Sequence, residues 1–388
     1  MKIKSIEAIE VDLNKERKKK PGAYRTGDRE PASPMARYPA YQGKRSSWTS
    51  GARWPTVVCV ITAEDGTFGI GTTSFAGPVV RIIQDHFGPH LVGESCLATE
   101  KMFDMMCRMA TPFGGPGLAS YAISAVDLAL WDLKGKLLQQ PVYALLGGPQ
   151  KERIFCYATG FDVDWYLELG FQAVKLPMPY SPVDGLEGLR KAEELVASAR
   201  EKMGDDAELM LDCWMALDVE YTVRMAEMLK PYRLKWIEDY LLPEDLEGFE
   251  QVRKRLPGQG LATGEHWYLP QTFATAVRRG LVDIFQPDVL WVGGISSCLR
   301  ICYMAEANGL SVITHGGMNW PYGQHLAFAM PSIPWGERSG GVAPAGVQLE
   351  EVVAIPGTAV IQDGYLVPSD APGFGIEVDL DWLEKVAV

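Results

Sequence analysis

Several features that would identify common protein classes are missing from this chain of 388 residues. No apolar run reaches the roughly 18 residues that a membrane-spanning helix needs. No GxGxxG motif follows any predicted strand, so a dinucleotide-binding fold is not indicated. Positive charge is scarce, because 37 Lys and Arg face 49 Asp and Glu, and the formal net charge is −12. A nucleic-acid surface needs clustered Lys and Arg. We therefore predict neither a membrane nor a nucleic acid as a partner.

The cysteines also lack the spacing of a disulfide framework or a zinc ribbon. There are seven, an odd number, and most are far apart in the sequence. Cys298 and Cys302 have helical i, i+4 spacing, but without a second pair this spacing favours core packing over metal binding. The N-terminal "MKIKSIEAIEVDL" alternates like a strand rather than like a signal peptide. We therefore predict a protein of the reducing cytoplasm.

The N-terminal part predicts two strand regions separated by a long loop. "KIKSIEAIEVDL" and "TVVCVITAEDGTFGIGTT" alternate like strands, and the second contains a turn at Asp65 and Gly66. The loop between them, residues 14 to 55, is longer than a simple connection needs, and such loops are usually lids, binding loops or disordered segments. Its basic run "KERKKK" predicts a solvated face. Four loop residues combine cationic and aromatic character in a way that suits covering a ligand: Arg45, Trp48, Arg53 and Trp54.

From about Arg153 onward, short apolar runs alternate with amphipathic helices, which indicates a parallel sheet. Eight strands are predicted, in "RIFCYATG", "QAVKLPM", "ELMLDCW", "LKWIEDY", "LATGEH", "VDIFQPDV", "LSVITHG" and "PWGER". Eight units favour a closed (β/α)8 barrel over an open doubly wound sheet, which usually has fewer strands.

Five consecutive predicted strands end in a polar residue, at intervals of 26, 27, 23 and 27 residues. These residues are Asp212, Glu238, Glu265, Asp288 and His315. In a barrel, the C-terminal strand ends share one mouth, where such enzymes carry their chemistry. Three converging carboxylates repel one another unless a cation lies between them, and oxygen-only ligation suits Mg²⁺. We therefore predict one Mg²⁺ held by the first three residues.

The last two of these residues, Asp288 and His315, form a candidate catalytic dyad. A carboxylate that binds one imidazole nitrogen fixes the tautomer and raises the basicity of the other nitrogen. A metal beside such a base is the pairing that removes a proton alpha to a carboxylate. Each residue also has a plainer interpretation, as a helix cap or a turn residue. The regular recurrence along five strands favours the functional interpretation.

These residues belong to motifs that resemble a known family. Five motifs resemble those of the enolase superfamily, mandelate racemase subgroup: "LMLDCW", "KWIED", "TGEH", "QPDVLWVGG" and "THGG". Within this subgroup, their sequences are most similar to those of the rhamnonate dehydratases. "SAVDLALWDLKGK", "PVYALLGG", "FCYATG" and "APGFGIEV" extend the resemblance over nearly the whole chain. The resemblance implies an α/β fold, a (β/α)7β TIM-like barrel with an α+β capping domain. The implied divisions are 1-148 for the capping domain, 149-345 for the barrel and 346-388 for a segment that returns to the capping domain.

The resemblance also implies roles for individual residues. The metal ligands are Asp212, Glu238 and Glu265, and the dyad is His315 with Asp288. "WGE" makes Glu337 the acid of the eighth strand. Substrate contacts are implied for Arg45 in "GKRSSW" and for His266 after Glu265. "CW" after Asp212 marks the rhamnonate-like branch and makes Trp214 a further candidate. "MPYSPVDG", "WYLP" and "GMNWPYGQH" are expected to shape specificity, with three candidate residues: Trp267, Trp320 and His325.

One departure from the family pattern concerns the second strand. Racemases of the group carry a second base there as Lys-x-Lys, whereas this sequence has Lys175 followed by Pro177. Racemisation with two bases is therefore not expected. Lys175 remains a candidate contact to substrate or to a carboxylate, with a structural role as the alternative.

The expected activity is that of a Mg²⁺-dependent acid-sugar dehydratase, a hydro-lyase acting on an aldonate. His315 removes the C2 proton and the 3-hydroxyl leaves, which gives a 2-keto-3-deoxy sugar acid. One alternative is an epimerase or cycloisomerase on the same scaffold. The other is a non-catalytic carbohydrate-binding relic, which converging carboxylates disfavour. The expected partner is a small-molecule acid sugar, and the family habit favours a homo-oligomer.

Overall fold

A computed structural model describes residues 1–19, 30–45, 54–339 and 342–388 of the chain. Trp48 and Arg53, which the sequence suggests as cover for a ligand, lie outside the described residues. Arg45 and Trp54 lie within them. Among the helices of the described ranges, none has the combined length and apolar character that crossing a membrane requires.

The N-terminal elements form an antiparallel sheet covered by helices, and we call them the capping domain. The sheet has the order β1-β2-β3, with β1 at Ile3–Val11, β2 at Thr56–Ala63 and β3 at Phe68–Thr73. The helices are α1 (Ala76–Arg81), which continues into a π-helical turn (Ile82–Phe87), α2 (Gly88–Leu91), α3 (Thr99–Ala110), α4 (Leu118–Leu138) and α5 (Val142–Leu145).

Helix α4 lies unusually close to strand β3 because two strand positions are glycine. A Cβ atom at Gly69 would lie 2.2 Å from the Ala129 carbonyl oxygen, and one at Gly71 would lie 2.0 Å from that of Ala125. Any other residue would push the helix off the sheet. Helix α4, which contains the motif "SAVDLALWDLKGK", is buried along most of its length.

Eight parallel strands form the second part, in the hydrogen-bonded order β10-β9-β8-β7-β6-β5-β4-β11. Their ranges are β4 Ile154–Thr159, β5 Ala173–Pro177, β6 Glu208–Asp212, β7 Ile237–Glu238, β8 Leu261–Thr263, β9 Ile284–Phe285, β10 Ser311–Val312 and β11 Trp335–Arg338. The first seven are followed in turn by α6 (Val163–Glu168), α7 (Gly185–Met203), α8 (Val219–Leu229), α9 (Leu246–Arg255), α10 (Leu269–Arg279), α11 (Gly294–Ala307) and α12 (Pro321–Ala329).

In the part of the chain that the structure describes, no α-helix follows β11 until α13 at Leu380–Val386. This arrangement is the predicted (β/α)7β barrel with a capping domain, and the fold prediction is confirmed. All eight predicted strands are present. Short 3-10 turns connect the elements, at Leu13–Lys15, Pro34–Arg37, Pro39–Tyr41, Pro182–Asp184, Lys230–Tyr232, Gly317–Asn319 and Leu349–Val352.

The barrel has a seam between β10 and β11, whose described residues share no ladder hydrogen bonds. Other hydrogen bonds between described residues bridge the seam. The Val312 amide donates to the Ser332 carbonyl over 2.8 Å, and the Gly316 amide donates to Glu337 Oε2 over 2.8 Å. A side chain at the barrel mouth therefore takes part in closing the wall.

The C-terminal segment contacts both parts of the protein. Its strand β12 (Tyr365–Leu366) pairs antiparallel with β4. The Phe374 amide donates to Asp132 Oδ1 of α4 over 2.9 Å, and Ala387 forms an isolated bridge with Val11 of β1. These contacts tie the end of the chain to the barrel and to the capping domain.

Candidate active site

The barrel interior explains why the strand ends converge. A closed apolar layer is formed by inward-facing residues of the strands, including Tyr157, Met210 and Trp236. Because side chains of a strand alternate between its faces, the residue two positions later also points inward, nearer the mouth. Counted this way, the next layer consists of Thr159, Lys175, Asp212, Glu238, Gly264, Gln286, His315 and Glu337.

The fifth strand breaks this pattern at Gly264, whose φ is +138°. A Cβ atom there would lie 2.9 Å from the Gln286 backbone nitrogen. The tight backbone path brings the following residue, Glu265, into the mouth instead. Glycine at this position is therefore what allows a carboxylate to reach the site from this strand.

Lys175 lies at the centre of the layer and is fully buried. Its Nζ contacts Glu238 Oε1, lies 2.8 Å from Glu337 Oε1 and lies 3.4 Å from Asp212 Oδ2. Burial alone would lower the pKa of Lys175, but the three carboxylates outweigh burial and hold this pKa well above its usual value. Lys175 is therefore a permanent cation that links three strand ends.

Glu238 is buried among groups that fix both of its oxygens. Its Oε2 accepts hydrogen bonds from Trp236 Nε1 over 2.9 Å and from Gln286 Nε2 over 2.6 Å. Burial raises the pKa of Glu238, and the charge of Lys175 opposes this rise. The carboxylate is thus held in one orientation before any ligand arrives.

His315 and Asp288 form the predicted pair. The His315 Nδ1 lies 2.8 Å from Asp288 Oδ2, and the Leu290 amide donates to Asp288 Oδ1 over 2.7 Å. The other ring nitrogen, Nε2, lies 3.0 Å from Glu265 Oε2. Burial would lower the pKa of His315, but Glu265 and Asp288 raise it well above the usual value. The Trp291 ring covers the imidazole, with centroids 5.1 Å apart.

A second histidine, His266, lies across the mouth. Its Nδ1 lies 3.1 Å from Asp239 Oδ2 and 3.2 Å from Glu265 Oε1. Asp239 also accepts a hydrogen bond from Thr263 Oγ1 over 2.7 Å, and its own φ is +49°. Strained backbone of this kind is typical of functional sites. The sequence alone did not suggest Asp239, although it directly follows Glu238 in "KWIED".

A cavity of about 170 Å³ opens above these residues. The Arg45 guanidinium lies over the Trp214 ring, 3.4 Å from its centroid, so the loop segment reaches the barrel mouth here. Of the residues predicted from the sequence, the cavity is lined by Arg45, Asp212, Trp214, His315 and Glu337. It is also lined by residues that were not singled out: Thr159, Pro177, Trp291 and Ser339.

Other candidates lie elsewhere. Trp320 lines a second cavity, of about 570 Å³, together with Arg17 and Trp54. Trp267 and His325 are buried, and neither lines the cavity above the strand ends. Strand alternation is the signal that points to Thr159, and also to Gln286, which precedes Asp288 by two positions.

The charges of this region fit a bound cation. Six acidic side chains are gathered at the mouth, whereas the fixed positive charges placed there among the described residues are Lys175 and Arg45. These acids are Asp212, Glu238, Asp239, Glu265, Asp288 and Glu337. Both oxygens of Glu265 are buried without a hydrogen-bond partner of acceptable geometry. Such an excess of buried carboxylate oxygens suits a hard divalent ion.

Comparison with known proteins agrees with this geometry. Residues 38–147 match the mandelate racemase / muconate lactonizing enzyme N-terminal domain, and residues 162–382 match the enolase C-terminal domain-like family. L-rhamnonate dehydratase of Saccharopolyspora erythraea is 39% identical over 354 residues, which cover 90% of this chain and 89% of that protein.

Solved structures are similar over the full chain. A structure of rhamnonate dehydratase from Gibberella zeae complexed with Mg has a TM-score of 0.91 at 32% identity, covering 100% of this chain and 96% of that one. A structure of the 3,6-anhydro-D-galactonate cycloisomerase from Zobellia galactanivorans has a TM-score of 0.78 at 25% identity, covering 100% of both chains. Sequence, fold and site therefore agree that the chain belongs to the mandelate racemase subgroup of the enolase superfamily.

Proposed function

We propose that this protein is a Mg²⁺-dependent acid-sugar dehydratase, acting on an aldonate of the rhamnonate type. The observation that carries the proposal is a histidine paired with a carboxylate, His315 with Asp288, beside Glu265, whose two oxygens are buried without a hydrogen-bond partner of acceptable geometry. The resemblance to L-rhamnonate dehydratase over nine-tenths of the chain supports the same reaction.

We propose Asp212, Glu238 and Glu265 as the residues that hold Mg²⁺. They come from three neighbouring strands, and the ladder places Asp212 directly beside Glu238. When bound, the cation supplies positive charge for the oxygens of the substrate carboxylate, on which negative charge develops as the C2 proton leaves. Lys175 stays on the inner side of these acids and keeps two of them in place.

The proton transfers are assigned to one imidazole. With Glu265 engaged as a metal ligand, His315 would lose the contact that does most to raise its pKa and would be neutral. Its Nε2 then takes the proton from C2, and Asp288 holds the other nitrogen and stabilises the imidazolium that forms. The imidazolium then returns this proton to the 3-hydroxyl, which leaves as water while a double bond forms between C2 and C3. The enol product tautomerises to the 2-keto-3-deoxy acid. Proton and leaving group balance without a further donor.

Glu337 does not serve as the donor in this scheme. Burial would raise the pKa of Glu337, but Lys175 and His315 lower it below the usual value, so the group is ionised. Thr159 Oγ1 donates to its Oε1 over 2.6 Å. We propose that Glu337 takes part in catalysis by contacting the substrate near its carboxylate and by holding Lys175.

We propose that the remaining cavity residues bind the substrate chain. Arg45 over Trp214 presents a cation and an aromatic face opposite the strand ends, which suits a polyhydroxylated anion. His266, fixed by Asp239, is proposed to contact a hydroxyl group. The proposal does not extend to Trp320, because it lines the second cavity.

The test is a screen of the purified protein against stereoisomeric aldonates, with Mg²⁺ and with EDTA, reading 2-keto acid as its semicarbazone. We expect a Mg²⁺-dependent product, a loss of activity in a His315→Asn variant, and normal activity in a His86→Asn control, whose ring lies in the capping domain. Activity retained in His315→Asn would overturn the mechanism.

The rivals give different products. An epimerase releases no 2-keto acid, and a binding relic releases no product at all. A cycloisomerase that opened a 3,6-anhydro ring by breaking the C3–O bond would also give a 2-keto acid, but not from an aldonate, which has no such ring. Proline at position 177 and the three ion pairs of Lys175 count against a second base on this strand. Because the 3,6-anhydro-D-galactonate cycloisomerase from Zobellia galactanivorans has a similar structure, a ring-opening isomerisation is the second candidate function. Proton NMR of the reaction mixture distinguishes these outcomes.

Three broader features complete the proposal. We propose domain divisions at 1-148, 149-345 and 346-388, a cytoplasmic location and a homo-oligomeric state. The contacts of the C-terminal segment with β1 and α4 support the first of these. The absence of a membrane-crossing helix among the described residues is compatible with the second. Light scattering coupled to size exclusion tests the third.

A further inference from the structure

The segment that carries Asp288 is held by the capping domain rather than by the barrel alone. This segment, residues 286–293, connects β9 to α11. Within it, the backbone turns on itself, because the amides of Trp291 and Val292 donate to the Asp288 carbonyl over 3.0 and 2.9 Å. The Leu290 amide of the same turn donates to Asp288 Oδ1, so the turn holds both the backbone and the carboxylate of Asp288.

Side chains of the capping domain bind the turn at successive positions. Thr73 Oγ1 of β3 donates to the Leu290 carbonyl over 2.6 Å. Ser120 Oγ of α4 donates to the Trp291 carbonyl over 2.7 Å. The Tyr121 ring stacks on the Trp291 ring, with centroids 5.7 Å apart and an interplanar angle of 23°. One face of α4 thus contacts the segment through both hydrogen bonds and ring stacking.

The start of α11 is capped by the same face. Its N-cap residue is Gly293, which has no side chain to bind the free amides of the first turn. Ser124 Oγ accepts from the Gly293 and Gly294 amides over 2.8 and 3.1 Å. Asp127 Oδ2 accepts from the Ser296 amide over 3.0 Å. Ser120, Ser124 and Asp127 are spaced i, i+4 and i+7, so they lie on one side of α4.

This contact leaves little freedom at the junction. Gly293 and Gly294 have φ values of +108° and +74°, and a Cβ atom at Gly294 would lie 2.4 Å from Asp127 Oδ2. Ser120, Ser124 and Asp127 are fully buried. Removal of the Ser124 hydroxyl would therefore leave the buried amides of Gly293 and Gly294 without a hydrogen-bond acceptor. The turn would have to move for them to find another acceptor.

We propose that Ser124 is a positioning residue, through which the capping helix α4 sets the place of Asp288 against His315. Ser120 and Asp127 assist it on the same face. The capping domain then acts on proton transfer through the protein, in addition to covering the substrate. This inference rests on the proposed dehydratase function for its kinetic readout.

The test compares Ser124→Ala with a matched control on the same helix, Asp132→Ala. Asp132 is also buried and also accepts two backbone amides, those of Ile70 and Phe374 at 2.9 Å each, but neither belongs to the Asp288 segment. Ser120→Ala serves as a milder variant on the same face as Ser124. Each variant is made alone and together with Asp288→Asn.

We expect Ser124→Ala to lower kcat by about tenfold or more and to leave KM within about twofold, because misplaced catalytic groups slow the chemical step. In the Asp288→Asn background, the same change should lower kcat by less than about twofold. Asp132→Ala should have the same effect on kcat in both backgrounds. An equal effect of Ser124→Ala in both backgrounds, or an unchanged kcat, would overturn the inference.

A second readout does not depend on the substrate. Urea unfolding of the four proteins of each cycle should give non-additive losses for Ser124 with Asp288 and additive losses for Asp132 with Asp288. Additive losses for both pairs would contradict the proposal. If the wild type releases no 2-keto acid from any aldonate, the proposed function fails while the unfolding cycle still decides the inference.

Discussion

The protonation of His325 gives a stability prediction that can be worked out from the structure. His325 lies within α12, fully buried, with its ring 5.5 Å from that of Tyr143 and 5.4 Å from that of Phe374. The Tyr143 amide donates to its Nδ1 over 3.3 Å. Burial lowers the pKa of His325 to about 3, with Asp370 opposing this shift. The folded protein therefore holds this imidazole neutral.

The sign of the pH effect follows from comparing the two states. In the unfolded chain the His325 pKa is about 6.5, so between pH 6.5 and pH 3 the unfolded state binds a proton that the folded state excludes. The free energy of unfolding consequently falls as pH falls. The loss is about 1.4 kcal/mol per pH unit below 6.5, which amounts to about 2 kcal/mol at pH 5.

The assay is urea unfolding of the wild type and of a His325→Asn variant between pH 7.5 and pH 5. Asn can accept from the Tyr143 amide but does not titrate. We expect the stability difference between the two proteins to change by about 2 kcal/mol over this range, with the wild type losing more. A Val142→Ala control, also fully buried, should give a constant difference. A constant difference for His325→Asn would refute the reasoning.

Three further predictions concern the site and its support. Lys175→Met leaves three carboxylates without their cation and should lower the free energy of unfolding by about 3–5 kcal/mol in EDTA, measured with urea. A loss below about 1 kcal/mol would contradict the charge argument. Mg²⁺ at about 100 times its Kd should stabilise the wild type by about 2.7 kcal/mol in the same assay, and a Glu265→Gln variant should gain much less. Equal gains would exclude Glu265 as a ligand. Gly294→Ala should cost about 1–3 kcal/mol in thermal unfolding, because its Cβ meets Asp127, whereas Gly280→Ala, with positive φ but open space, should cost less. Equal losses would remove the role assigned to the contact.

Periodic features of the sequence were the ones that predicted structure well. The strands were recognised because apolar runs recur with each unit, and the polar residues at their ends converge because parallel strands point to one mouth. The pairing of Asp288 with His315 followed from their adjacent strands and is present in the structure. Strand alternation would also have predicted Thr159 and Gln286, because each lies two positions along its strand from another inward-facing residue.

Features that depend on tertiary contacts were not readable in the same way. "GMNWPYGQH" looks like a loop, yet Pro321 begins α12, as proline at a first helical position often does, and His325 is buried in that helix. The three ion pairs of Lys175 join residues up to 162 positions apart along the chain, from Lys175 to Glu337. The single-residue displacement that brings Glu265 into the mouth depends on the backbone of Gly264.

The seam of the barrel has a consequence for how this scaffold can change. Glu337 faces the cavity with one oxygen bound to Thr159 and Lys175, and with the other it fastens the loop after β10 through the Gly316 amide. Reaction chemistry and the mechanical closure of the wall therefore share one carboxylate. A substitution of Glu337 that changed the reaction would therefore also weaken the closure of the barrel at the seam. The rate of hydrogen–deuterium exchange at the Gly316 amide would report this weakening, because that amide donates to Glu337 Oε2.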